Sequence, residues 1–85
     1  MGTVTRINGW RVCINSNDHK PAHVHVMGPS KEVVFVLNCP AGPVELRDNY
    51  GATQQEVNWL SQELAAPATM QQTCATWRTI HGSFT

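Results

Sequence analysis

Val4-Thr5-Arg6-Ile7-Asn8-Gly9-Trp10-Arg11-Val12-Cys13-Ile14 is the stretch that decides the fold. Two runs rich in β-branched and apolar residues flank Asn8-Gly9, the dipeptide that best tolerates the positive φ angles of a type I′ turn. With a two-residue loop, Ile7 pairs Trp10, Arg6 pairs Arg11 and Thr5 pairs Val12. Side chains alternate across a strand, so one face carries Thr5, Ile7, Trp10, Val12 and Ile14. The other carries Val4, Arg6, Arg11 and Cys13. An amino-terminal hairpin is therefore expected, with Trp10 as a lid on the hydrophobic face.

Beyond it the strand signals continue. Asn15 to Pro21 is rich in Asn, Ser and Asp and reads as a loop. A third strand is expected at His23–Met27, ended by Gly28-Pro29, and a fourth at Lys31–Asn38. The unbroken run Val33-Val34-Phe35-Val36-Leu37 suits a strand buried on both faces. Cys39-Pro40-Ala41-Gly42-Pro43 is a turn, and Val44–Arg47 a short fifth strand before a turn at Asp48–Gly51. Then the period changes from two to 3.6. Thr53 and Glu56 match a capping box. Val57, Leu60 and Leu64 share one helical face, as do Met70, Cys74 and Trp77, with Pro67 between the helices and Gly82 as a stop. Trp59 and Trp77 are expected to pack within or between the helices. The fold class is α+β: an antiparallel sheet of about four to five strands followed by two C-terminal helices, in a single domain over residues 1–85.

Composition narrows the function classes. Eighty-five residues bury roughly 60–65% of their unfolded surface, enough for one core. Formal net charge is zero and only 14% of residues are charged, so no bulk field draws the chain to nucleic acid or membrane. The longest apolar run is too short to span a bilayer and the N-terminus has no signal-peptide pattern, so a cytoplasmic location and no membrane partner are expected. Cys13, Cys39 and Cys74 are odd in number and far apart, and are expected as buried thiols in a reducing compartment.

The chemistry concentrates in Asn17-Asp18-His19-Lys20-Pro21-Ala22-His23-Val24-His25-Val26, which holds three of the four histidines. On a strand Val24 and Val26 point one way, into the core, and His23 and His25 the other. Pairing with the second strand puts both histidines on the face of Arg11 and Cys13, with Arg6 opposite Arg11. Two opposed cations suit a bound anion, or stand solvated. Three readings stay open. His23 and His25 with Asp18 or His19 can ligate a divalent metal such as zinc, while no other cofactor is indicated. His23 and His25 can act as catalytic acid and base, with Arg6 and Arg11 holding phosphate. Or the cluster is structural, Asp18 fixing its own turn and the histidines bonding loop carbonyls.

The motif Asn17-Asp18-His19 followed by His23-Val24-His25-Val26 resembles the hallmark of a small, widespread bacterial family known only as a domain of unknown function, with Ala22 where members often carry proline. Val57-Asn58-Trp59-Leu60 and Ala75–Gly82 are similar to that family's helical ending. Members are often encoded beside another small protein, in an arrangement like toxin–antitoxin pairs. The resemblance implies a partner-dependent cytoplasmic protein and carries over no catalytic residue. The chain departs from the family in its wholly apolar Val33–Leu37 strand and in the few charges on its helices, which fits an enlarged interface or an inhibitor carried by a mobile element.

Two functions are thus in view. The first is a protein-binding module, acting on a small partner encoded nearby or on a host complex. The second is a histidine- or metal-dependent hydrolase, most naturally a ribonuclease toxin acting on RNA. A homo-oligomer is open under both.

Overall fold

A computed structural model describes residues 2–84. Five antiparallel strands form one sheet in chain order: β1 (Gly2–Ile7), β2 (Trp10–Ile14), β3 (His23–Gly28), β4 (Lys31–Val36) and β5 (Glu45–Tyr50). Two helices follow, α1 (Gln54–Ala65) and α2 (Pro67–His81), giving the expected α+β arrangement. The first hairpin has the register that its turn dictates: Ile7 faces Trp10, Arg6 faces Arg11 and Thr5 faces Val12. Asn8 and Gly9 take φ of 44° and 86°, the positive angles that the turn requires.

Register propagates the two faces across the sheet. Val12 pairs Val26, Val26 pairs Val33 and Val24 pairs Phe35, so these residues share the inner face beneath the helices. They join Ile14, Leu37, Val57, Leu60, Leu64, Met70 and Trp77 in one buried cluster. Gly28 lies under Trp10: a Cβ there would come within 2.9 Å of the indole ring. Trp10 is buried as the expected lid, and Lys31 Nζ sits 5.7 Å from its ring centroid.

Helix α1 begins at the predicted capping box. Thr53 accepts from the Glu56 amide at 3.1 Å, and Glu56 accepts from the Thr53 amide at 2.9 Å. Glu56 also pairs with Lys31 at 2.8 Å, tying the helix start to the β3–β4 hairpin. Pro67 opens α2 rather than ending α1, because its missing N–H costs nothing in a first turn. The Gly82 amide bonds the Arg78 carbonyl and closes the helix.

Four details differ from the sequence reading. A bulge between Thr3 and Thr5 lets Val4 pack against the core instead of joining Arg6 on the outer face. Strand β4 stops at Val36, while Leu37 remains buried. The fifth strand runs on through Asp48–Tyr50, since each of these pairs with β4, and the turn waits for Gly51. The cysteines give the largest correction. Cys39 and Cys74 form a disulfide that ties the loop after β4 to α2, leaving Cys13 as the buried free thiol among the described residues. Thiols 35 positions apart in sequence meet because the loop from Cys39 folds over α2, with Gly42 beside Met70. The cysteines therefore no longer speak for a reducing compartment. No helix among the described residues is long and apolar enough to cross a membrane.

Candidate functional site

The site lies on the outer face of the sheet, opposite the hydrophobic core, where the end of α2 reaches its His23 side. Cys13 pairs His25 and His25 pairs Val34, so His25 projects outward from the sheet centre. His23 projects from the same strand one alternation earlier, and the two rings meet edge to face with centroids 5.2 Å apart. The loop between β2 and β3 folds over this face and delivers Asp18. That loop is set by its own backbone: the Asp18 amide bonds the Asn15 carbonyl at 3.1 Å, and the Asn15 amide donates to Asp18 Oδ2 at 2.9 Å. Asp18 does fix its turn, as an Asx residue can, and its second oxygen is left for the histidines.

Asp18 Oδ1 lies 3.1 Å from His25 Nε2 and 3.7 Å from His23 Nε2. Each ring is held from behind. His23 Nδ1 donates to the Pro21 carbonyl at 2.8 Å, and His25 Nδ1 is 2.8 Å from Glu32 Oε2. A carbonyl only accepts, so the proton of neutral His23 is on Nδ1 and its Nε2 lone pair faces Asp18. Both neighbours of His25 are carboxylates, so both of its bonds hold together when the ring carries two protons. Burial opposes ionisation of Asp18. The Asn15 amide, the His25 hydrogen bond and the charges of His25 and His23 together outweigh it and hold the carboxyl below its ordinary value.

Behind the cluster, His23 contacts the fully buried Trp77, with centroids 5.2 Å apart, and Trp77 stacks on His81 at 4.0 Å. His81 Nε2 donates to the Asn15 carbonyl at 3.1 Å, and Trp77 Nε1 donates to the Ser83 carbonyl at 2.9 Å. The end of α2 thus buttresses the loop that carries Asp18. Trp77 is a packing residue, and Trp59 lies partly buried against the same core.

In front of the cluster a cavity of about 290 Å³ is lined by Asp18, His19, Lys20, His23, His25 and Arg47. A second, of about 360 Å³, continues past His25 to Glu32, Arg47, Asp48 and Tyr50. Asp18, His23 and His25 come together as the sequence suggested, and His19 stands exposed at the rim. Arg6 and Arg11 face each other but line neither cavity, because Arg11 pairs Met27, two positions from the Cys13–His25 pair. The cations beside the histidines are Lys20, from the loop, and Arg47, which follows Leu46 at the bulge of β5 opposite Val34 and Phe35. Glu32 was also missed, although its signal was present. A two-residue Pro29-Ser30 turn pairs Gly28 with Lys31 and Met27 with Glu32, which puts Glu32 diagonal to His25 on the same face. His81 and Arg47 had no comparable signal.

With this geometry in hand, the class is a small α+β domain that carries a histidine–carboxylate cluster on an open sheet face. The family model described as "Domain of unknown function (DUF4160)" matches residues 9–67. The chain belongs to that family. The match covers β2 through α1 and therefore the whole cluster, but not the α2 residues that support it. No curated protein and no solved structure matches the chain significantly.

Proposed function

We propose that the chain is a protein-binding module that acts by complex formation, engaging a small partner encoded nearby or a host complex through the β5 edge of its sheet. One observation carries this reading. β5 ends the sheet, and it exposes two large apolar side chains, Leu46 at 49% and Tyr50 at 59%. Leu46 pairs Phe35 of the inner face and Tyr50 pairs Glu32 of the outer face, so the two flank the free edge on opposite sides. A strand added there gains main-chain hydrogen bonds and covers both side chains, which is how strand-addition partners combine affinity with specificity. The charges of Glu45, Arg47 and Asp48 and the bulge in this strand guard the edge against indiscriminate pairing, so an added strand has to match them. The toxin–antitoxin-like setting, or an inhibitory one on a mobile element, supplies the context in which such a partner is present.

The hydrolase reading rests on a different observation: Lys20 and Arg47 line the cavity that His23 and His25 also line. Cations beside two imidazoles suit a phosphodiester such as RNA. Against it, the His25 ring is engaged by carboxylates at both nitrogens. The test of the binding reading is co-expression with the proteins of its neighbouring reading frames, followed by light scattering on the purified species. A defined complex with the wild type that Leu46→Asp/Tyr50→Ala abolishes, with that variant still folded, supports it. No complex, or an equally stable one with the variant, overturns it.

A further inference from the structure

We infer that Asp18, His23 and His25 form a binding site for one divalent transition-metal ion of the zinc type, with its remaining coordination positions open to the cavity of Lys20 and Arg47. Ligand spacing is the first ground. Tetrahedral coordination with bonds of about 2.0–2.1 Å places ligand atoms about 3.3 Å apart. The two separations from Asp18 Oδ1, 3.1 Å to His25 and 3.7 Å to His23, bracket that value, and all three donor atoms lie within 4.8 Å of one another.

The second ground lies outside the three ligands. Metal-binding histidines commonly donate their other ring N–H to a carbonyl or a carboxylate, which fixes the tautomer and aims the lone pair. Both arrangements occur here, with Pro21 behind His23 and Glu32 behind His25. The same arrangement is no requirement of a plain ion pair, in which His23 has no need of a fixed Nε2 lone pair. Two imidazoles and one carboxylate suit zinc, cobalt, nickel or iron(II) better than magnesium or calcium, which prefer oxygen alone. His23 and Asp18 are largely shielded, with 4% and 11% of their side-chain surface exposed, while His25 at 20% faces the opening.

The metal site does not rest on partner binding at the β5 edge, although Arg47 of that strand lines its cavity, and either claim can fail alone. Its test uses the full chain with its disulfide intact, titrated with Zn²⁺ by calorimetry and with Co²⁺ by visible absorption. The expected result is one saturable equivalent and a cobalt ligand-field spectrum, both lost in His25→Ala and in the near-isosteric Asp18→Asn. Glu32→Gln, which removes only the support behind His25, should weaken binding roughly 10–100-fold. His19→Ala should leave it unchanged. Circular dichroism of each variant separates lost ligation from lost folding, and Asp18→Asn keeps the test decisive where an alanine variant unfolds. No saturable binding by the wild type overturns the inference. So does binding that survives Asp18→Asn in the folded chain, or that depends on His19 instead.

Discussion

Reduction of the Cys39–Cys74 disulfide should cost this protein a large part of its stability. The bridge closes a loop spanning 35 positions between the β4 end and the middle of α2. In the chain-entropy account, releasing a loop of that length frees about 4 kcal/mol of denatured-state entropy at 25 °C. A domain of this size is typically stable by about 4–13 kcal/mol, so the loss is a third of the total or more. Urea unfolding of the oxidised and reduced wild type isolates the cross-link, because no atom is removed from the core. With an m value of about 1–2 kcal/mol/M for so small a domain, the midpoint should fall by roughly 2–4 M. The alanine double variant should fall further, since Cys74 is also buried against Met70. Denatured without reductant, the chain should show one reactive thiol, Cys13. Three reactive thiols, or equal midpoints with and without reductant, would refute the reasoning.

Other consequences follow from single contacts. Leu60→Ala, at a fully buried position of the core, should destabilise by about 2–5 kcal/mol in the same denaturation assay. Gly28→Ala forces a Cβ into the Trp10 ring and should cost about 1–3 kcal/mol, with a change in tryptophan fluorescence. Thr53→Ala removes the α1 cap and should cost about 1 kcal/mol, visible as a lower melting temperature. Asp18 has a folded-state pKa below its unfolded one, so its contribution is present above about pH 3.9 and is lost as pH falls through the folded value. Stability measured from pH 5 to pH 2 should therefore fall less steeply in Asp18→Asn than in the wild type.

How far the chain could be read without its structure depended on whether the determinant was local. The Asn8-Gly9 turn sets its own register, so the first hairpin from Thr5 to Val12 and the inward Val12, Val24 and Val26 were legible. The capping box and the helical faces were equally so. Val4 was not, because it owes its direction to an irregularity in strand pairing that no local signal announces. The cations at the histidines are Lys20 and Arg47 rather than Arg6 or Arg11, because Arg11 pairs Met27 at the far end of β3 while β5 brings Arg47 alongside β4. The disulfide depends on how the Cys39 loop folds over α2, a tertiary fact invisible in the spacing. The Asp18–His23–His25 cluster stood between these extremes. Strand alternation put the two histidines on one face, and the turn preference of Asp18 brought the carboxylate near, while Glu32 needed only the hairpin register carried two residues further. The supporting Trp77–His81 pair lies far along the chain and could not be foreseen.

The central claim, that the chain acts by binding and not by turnover, is tested most directly by RNA integrity in bacteria after induction of the wild type and of a folded His23→Ala/His25→Ala variant. The account predicts intact RNA in both. Degradation with the wild type alone would contradict it and place the two histidines in a catalytic ribonuclease.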